Sequence, residues 1–183
     1  MTLRNTSTHW GLVARVLHWL FLFLIIGAWY AMETREEFAK GTPERAEWMR
    51  LHISLGITIF ALVWVRLGWR LSGPVPAEIP GPPLQMLAAR LVHFALYAVM
   101  IAMPVAGLLT VQLEDRVVSW FGFFEFPALV APDKALAEVF EEIHADVLWP
   151  ALLALVGVHA AAALWHHFRL KDDTLRRMTL PRR

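Results

Sequence analysis

The sequence predicts an all-α membrane protein: a four-helix transmembrane bundle with both termini in the cytoplasm. Three observations carry this. Of the 183 residues, 57% are hydrophobic and only 18% are charged, with a mean hydropathy of +0.48, too apolar for a soluble domain. The apolar residues fall into four charge-free runs, Val16 to Met32, Leu51 to Val65, Leu91 to Leu113 and Val147 to Phe168. Charge also segregates by side. Threading the chain through these runs places eleven basic and three acidic residues on one side, and six basic and thirteen acidic on the other. The positive-inside rule assigns the basic side, with both termini, to the cytoplasm.

Helix 1 is expected over residues 11–32. Its apolar run exceeds a signal-peptide core, and Tyr30-Ala31-Met32-Glu33 lacks a small-residue cleavage pattern, so the segment reads as a retained anchor. Helix 2, over 50–71, reaches spanning length if Arg66 and Arg70 snorkel to the headgroups. The proline-rich connection Ser72 to Pro83 reads as extended chain. Helix 3 follows over 87–112. The outer loop from Glu114 to Lys134 holds Trp120-Phe121-Gly122-Phe123-Phe124, too short for a fifth span, and reads as an interfacial flap. Helix 4, over 134–168, starts about two turns outside the membrane with Asp133 as its cap. Trp10, Trp69 and Trp165 fall near the inner boundary, and Trp29, Trp48, Trp120 and Trp149 near the outer one, as aromatic belts do. Residues 1–183 read as a single integral membrane domain whose first partner is the lipid bilayer, with no nucleic acid expected.

Cysteine is absent, which excludes c-type haem attachment, iron–sulfur ligation and disulfide exchange. The functional signal is histidine. His18, His52, His93, His144 and His159 lie inside or at the ends of the apolar runs, where an unpartnered imidazole is costly. His144 and His159 share one segment, fifteen residues apart. An α-helix separates such residues by roughly 22 Å with a net rotation of about 60°, so one helix offers a ligand to two stacked centres. That is the geometry of a di-haem b cytochrome. Depth pairs His52 with His144 near the outer face, and His159 with either His18 or His93 near the inner one. Buried histidines also serve as structural hydrogen-bonders or as zinc or copper ligands. Haem is favoured because six-coordinate iron takes two axial imidazoles, and the count supplies two pairs plus one spare. Gly56, Gly107, Gly157 and the run Ala160 to Ala163 leave room for a macrocycle or for close helix packing.

His166 lies seven residues past His159 on the same helical face. With Arg15, Trp19 and His93 it frames an inner pocket suited to a quinone headgroup, His166 bonding a quinone oxygen. His9, in the polar start, reads as solvated. Arg15, Arg50, Arg66, Arg70 and Arg90 are candidate partners for haem propionates, and spacing does not choose among them.

The chain resembles the prokaryotic cytochrome b561 family, four-helix membrane cytochromes with two b haems. The resemblance runs from His18-Trp19 to the tail, through Ala31-Met32-Glu33, the segment Leu155 to His167 that contains His159 and His166, and Lys171 to Met178. It implies His18 with His159 as the inner axial pair and His52 with His144 as the outer pair. His93 and His166 would then adjoin the inner haem or the quinone. It also implies a bacterial inner membrane and, within the family, most resembles the branch that oxidises periplasmic superoxide and reduces ubiquinone. The alternative is a generic di-haem b subunit linking the quinone pool to another redox protein; a third reading is a haem-free channel or carrier. One feature departs from the family. The spacing of His144 and His159 is one residue longer than usual, and Pro150 lies between them, which predicts a π-bulge or similar irregularity between Ala145 and Leu153. The acidic outer side also opposes an anionic substrate, so superoxide requires a local basic funnel drawn from Arg35, Lys40, Arg45, Arg50, Arg116 and Lys134.

Overall fold

A computed structural model describes residues 2–179. Arg182 and Arg183, counted with the basic tail, lie outside the described residues. Four helical spans are long and apolar enough to cross a membrane: α1 (Leu12–Glu36), α2 (Pro43–Leu71), α3 (Pro83–Leu113) and a composite fourth span, Lys134–Leu170. The fourth comprises α4 (Lys134–Glu142), a π-helical turn over Ile143–Leu148, α5 (Trp149–Trp165) and a second π turn over His166–Leu170. A short helix, α6 (Arg176–Thr179), ends the described chain.

The helices start earlier than the apolar runs because their caps sit in the polar flanks. Thr42 caps α2, its hydroxyl accepting from the Arg45 amide at 3.4 Å, and Pro43 fills the first helical position. Pro83 opens α3 in the same way. Asp133 caps α4 as its sequence indicates, accepting from the Leu136 amide at 3.1 Å. α1 packs on α2 and α2 on α3, while the fourth span packs on α3. The core lies between α1 and α2 around Phe21, Ala28, Ile59 and Val63, with Tyr97 and Ile101 added from α3. In the fourth span only Ala137 and Leu152 are buried hydrophobics among the described residues, so most of that span is left for lipid and for whatever the bundle encloses.

The irregularity predicted near Pro150 is present, and its position is informative. The π turn begins at Ile143, contains His144 and ends at Leu148, ahead of the proline. Proline has no amide hydrogen and its ring crowds the carbonyl four residues back, here Asp146. Widening the turn before it relieves that crowding and seats Pro150 in the first turn of α5. Because π winding turns less per residue than α winding, it also takes back part of the 60° offset between His144 and His159.

The outer loop is more ordered than a flap. Val118–Trp120 (β1) and Phe124–Phe126 (β2) form an antiparallel hairpin with Trp120 opposite Phe124. Its turn places Phe121 (φ 49°) and Gly122 (φ 76°) in the left-handed region. The hairpin is bolted to α2: buried Ser54 accepts from the Phe121 amide at 2.8 Å and donates to the Arg50 carbonyl at 2.7 Å, and the Trp120 indole donates to Thr58 at 3.1 Å. On the opposite face the two termini and the inner loop meet at Ala77. Its amide donates to the Ser7 carbonyl and its carbonyl accepts from Arg177, both at 2.8 Å.

Candidate functional site

Two imidazole pairs lie across the bundle. In the outer pair, His52 of α2 faces His144 of the π turn with ring centroids 6.0 Å apart. Both rings are held from behind by backbone. His52 Nδ1 lies 2.9 Å from the Ala28 carbonyl of α1, and His144 Nδ1 lies 2.8 Å from the Met103 carbonyl of α3. A carbonyl only accepts, so each Nδ1 carries the hydrogen and each Nε2 keeps its lone pair. This is the tautomer of a metal-ligating histidine whose other nitrogen donates to a backbone oxygen. Gly107 makes room for His144: a Cβ there would stand 2.9 Å from Cε1 and 3.0 Å from Nδ1. Gly107→Ala is therefore expected to displace His144 and to weaken or abolish occupancy of the outer site alone, measured as metal-centre content per chain, at a stability cost of about 1–3 kcal/mol.

The inner site is a cluster of three imidazoles. His159 of α5 has His18 of α1 at 5.9 Å and His93 of α3 at 5.3 Å, centroid to centroid. Trp19 stands edge-on to His18 at 5.3 Å. Arg66 reaches in from α2, its Nε donating to the Tyr97 hydroxyl at 3.1 Å and its Nη2 lying 3.5 Å from His18 Nδ1.

A family profile described as prokaryotic cytochrome b561 matches residues 9–181. The chain belongs to the prokaryotic cytochrome b561 family. Cytochrome b561 homolog 2 of Escherichia coli is 32% identical over 185 residues, covering 97% of this chain and 95% of the relative. Cytochrome b561 homolog 1 of the same organism is 34% identical, covering 91% and 94%. A probable superoxide oxidase, CybB, of Yersinia pestis is 35% identical, covering 88% and 90%. As a prokaryotic cytochrome b561, the chain is a multi-pass protein of a bacterial membrane, and the chemistry of its family is electron transfer through b-type haem.

The donor set fits haem. Two imidazoles on opposite sides of one iron, each nitrogen about 2 Å from it, place their ring centroids roughly 6 Å apart. The His52–His144 and His18–His159 separations meet that; the shorter His93–His159 separation does not. Among the described residues no group of three or more His, Cys, Asp or Glu side chains forms a metal cage. Paired imidazoles suit a macrocycle that brings four nitrogens of its own, and zinc takes three or four protein ligands. Buried, unpartnered guanidinium nitrogens complete the fit: Arg66 Nη1 and Arg15 Nε toward the inner end, and Arg35 Nε toward the outer. Each lacks an acceptor that a propionate would provide. Arg35 was not among the propionate candidates read from sequence, and it lies within electrostatic reach of His52.

The four quinone-pocket candidates separate. His93 joins His159, and Trp19 joins His18, but the Trp19 indole hydrogen is already committed to the Met178 carbonyl at 3.0 Å. Arg15 offers its unpaired Nε. His166 is bonded to Asp172 at 2.5 Å, to Gln85 at 2.9 Å and to Thr174 at 3.3 Å, and not to the imidazole cluster. Sequence spacing missed these three partners: the second π turn brings Asp172 and Thr174 of the tail back onto their own helix, and Gln85 comes from the start of α3. The Asp172 carboxyl is pushed up by burial, but the bonds from His166 and Thr174 outweigh this and hold it below the usual carboxylate range.

Proposed function

We propose that this cytochrome holds two b haems, on His52 with His144 and on His18 with His159, and couples oxidation of superoxide at the outer face to reduction of ubiquinone at the inner face. Two superoxide anions give two molecules of oxygen, and the quinone takes up two electrons and two protons. The observation that supports a two-site electron path most directly is the repeated pairing of imidazoles at opposite ends of one span, at a separation suited to axial ligation. When bound, the haems supply one-electron chemistry at each end. The protein's part is to hold His52 and His144 through Ala28 and Met103, to neutralise acidic groups with Arg35 and Arg66, and to keep the interior dry. The substrate assignment leans on similarity to the probable superoxide oxidase of Yersinia pestis.

A specific observation favours the second reading, a di-haem subunit serving another redox protein. The outer arginines do not form an open funnel. Arg35 and Arg45 both pair with Glu36, Arg50 with Glu47 and Arg116 with Glu114. Four of the six cations from which a funnel was expected are thus engaged by carboxylates, Lys40 and Lys134 being the other two, which weakens the steering of anions at the outer side. The deciding experiment mixes superoxide with the purified, oxidised protein and no protein partner, and follows the haem bands. Rapid reduction, blocked by superoxide dismutase, is the expected result. Bands that stay oxidised under superoxide yet respond to dithionite would leave the subunit reading in possession.

A further inference from the structure

The two imidazole pairs differ in what stands behind them. At the outer pair both Nδ1 atoms donate to backbone carbonyls, His52 to Ala28 at 2.9 Å and His144 to Met103 at 2.8 Å. Such a bond draws the Nδ1 hydrogen toward oxygen and makes the nitrogen left for a metal more basic. At the inner pair no carbonyl or carboxylate of the described residues accepts from His18 or His159. The polar group at His18 Nδ1 is instead the Arg66 guanidinium, whose Nη2 lies 3.5 Å away and can only donate. Arg66 turns into the bundle, and three contacts hold it there. Its Nε donates to Tyr97 at 3.1 Å, its guanidinium carbon lies 5.8 Å from the centre of the buried Phe21 ring, and His18 takes the third side. No carboxylate pairs with it among the described residues, and its Nη1 has no hydrogen-bond partner. Arg66 lies within electrostatic reach of His18, His93 and His159. Glu78, which reaches His93, is itself paired with Arg90. The cation that reaches the outer pair, Arg35 beside His52, is paired with Glu36.

We infer that these surroundings set the two ends at different reduction potentials, the inner one higher, and that Arg66 is the residue that raises it; this rests on haem binding at both pairs. Two causes act in one direction. The bonds from His52 and His144 to carbonyls make the outer ligands better donors, which favours oxidised iron. An uncompensated guanidinium beside His18 favours reduced iron, because reduction adds one negative charge and a low-dielectric interior screens it little. A propionate that accepted from Nη1 would be offset by Arg66, so loss of the cation would uncover that charge and move the potential the same way. An electron accepted at the outer pair therefore passes downhill to the inner pair. One centre is oxidised as the other is reduced, and no proton moves between them. Arg66 is a positioning residue that acts through His18 and through its own field, and it gives the transfer its direction from outer face to inner.

The test is a spectroelectrochemical measurement of midpoint potentials on the full-length, haem-loaded protein in nanodiscs, with haem content per chain measured alongside. The wild type should show two one-electron midpoints, separated by at least a roughly tenfold preference for the inner site, about 59 mV. Arg66→Gln removes the charge and keeps a donor for a propionate. It should retain both haems, lower the higher midpoint by a similar step, and leave the lower one in place. Arg66→Lys should restore most of the gap, which a purely structural role for the side chain does not predict. Tyr97→Phe, which frees Arg66 Nε, should lower the same midpoint by less. It decides the case in which Arg66→Gln sheds the inner haem: an unmoved midpoint in Tyr97→Phe would then overturn the inference. Two haems with equal midpoints in the wild type would also overturn it, as would an Arg66→Gln protein whose higher midpoint stays or whose lower one alone falls. Each of these leaves the two-haem reading intact. A wild type without haem would overturn both.

Discussion

Two b haems per chain are expected in the purified protein, and His144→Ala and His159→Ala should each leave one. The two residues share a span but belong to different sites, so their losses should be independent, and the double variant should bind none. If these imidazoles are the iron's ligands, removing one would take away an iron bond and open a cavity in the bundle at once, and among the described residues no third imidazole stands beside the outer pair. The inner site differs. His93 lies 5.3 Å from His159, so His18→Ala leaves an imidazole close by. His93→Ala should therefore retain both haems, and His18→Ala should weaken the inner one with a shifted spectrum. Pyridine haemochrome quantitation against protein mass reads all of these. Loss of haem in His93→Ala with retention in His18→Ala would reverse the inner assignment, and a wild type without haem would return the chain to the channel reading.

The bundle was legible because lipid leaves few alternatives: a backbone crossing hydrocarbon must satisfy its own hydrogen bonds, so apolar runs of the right length read as helices. Side and depth followed from charge and direction. Azimuth did not. Period and depth put both His18 and His93 level with His159, and only the packing of α1, α2 and α3 sets which ring lies at the separation an iron needs. The hairpin was hidden because its pairing depends on docking to Ser54 and Thr58, more than sixty residues earlier in the chain. The Asp172–His166 contact was hidden for a related reason. Residues six apart do not meet in an α-helix, and no pattern in His166-His167-Phe168-Arg169-Leu170 announces a π turn. The first π turn could be anticipated because a proline and an extra residue between two candidate ligand histidines leave the helix few other solutions.

That first π turn is expected to behave as a stored residue. Deleting Ala145 shortens the spacing of the two histidines by one and removes the need for the wide turn. The segment Ile143–Leu148 should rewind as α-helix with His144 still facing His52, and both haems should remain. Pro150 would continue to leave the Asp146 carbonyl without a helical donor, which transmembrane helices accommodate. Inserting one alanine after Val147 has no such outlet. The turn already holds one surplus residue, and another rotates His144 by about 100° relative to α5, away from His52 and from the Met103 carbonyl that orients it. The inserted variant should lose the outer haem and keep the inner, half the wild-type content. The asymmetry is the test, because a regular helix would suffer equally from either change. Equal loss of the outer haem in both variants would mean that the wide turn stores no residue and that fifteen-residue spacing is itself what the outer site requires.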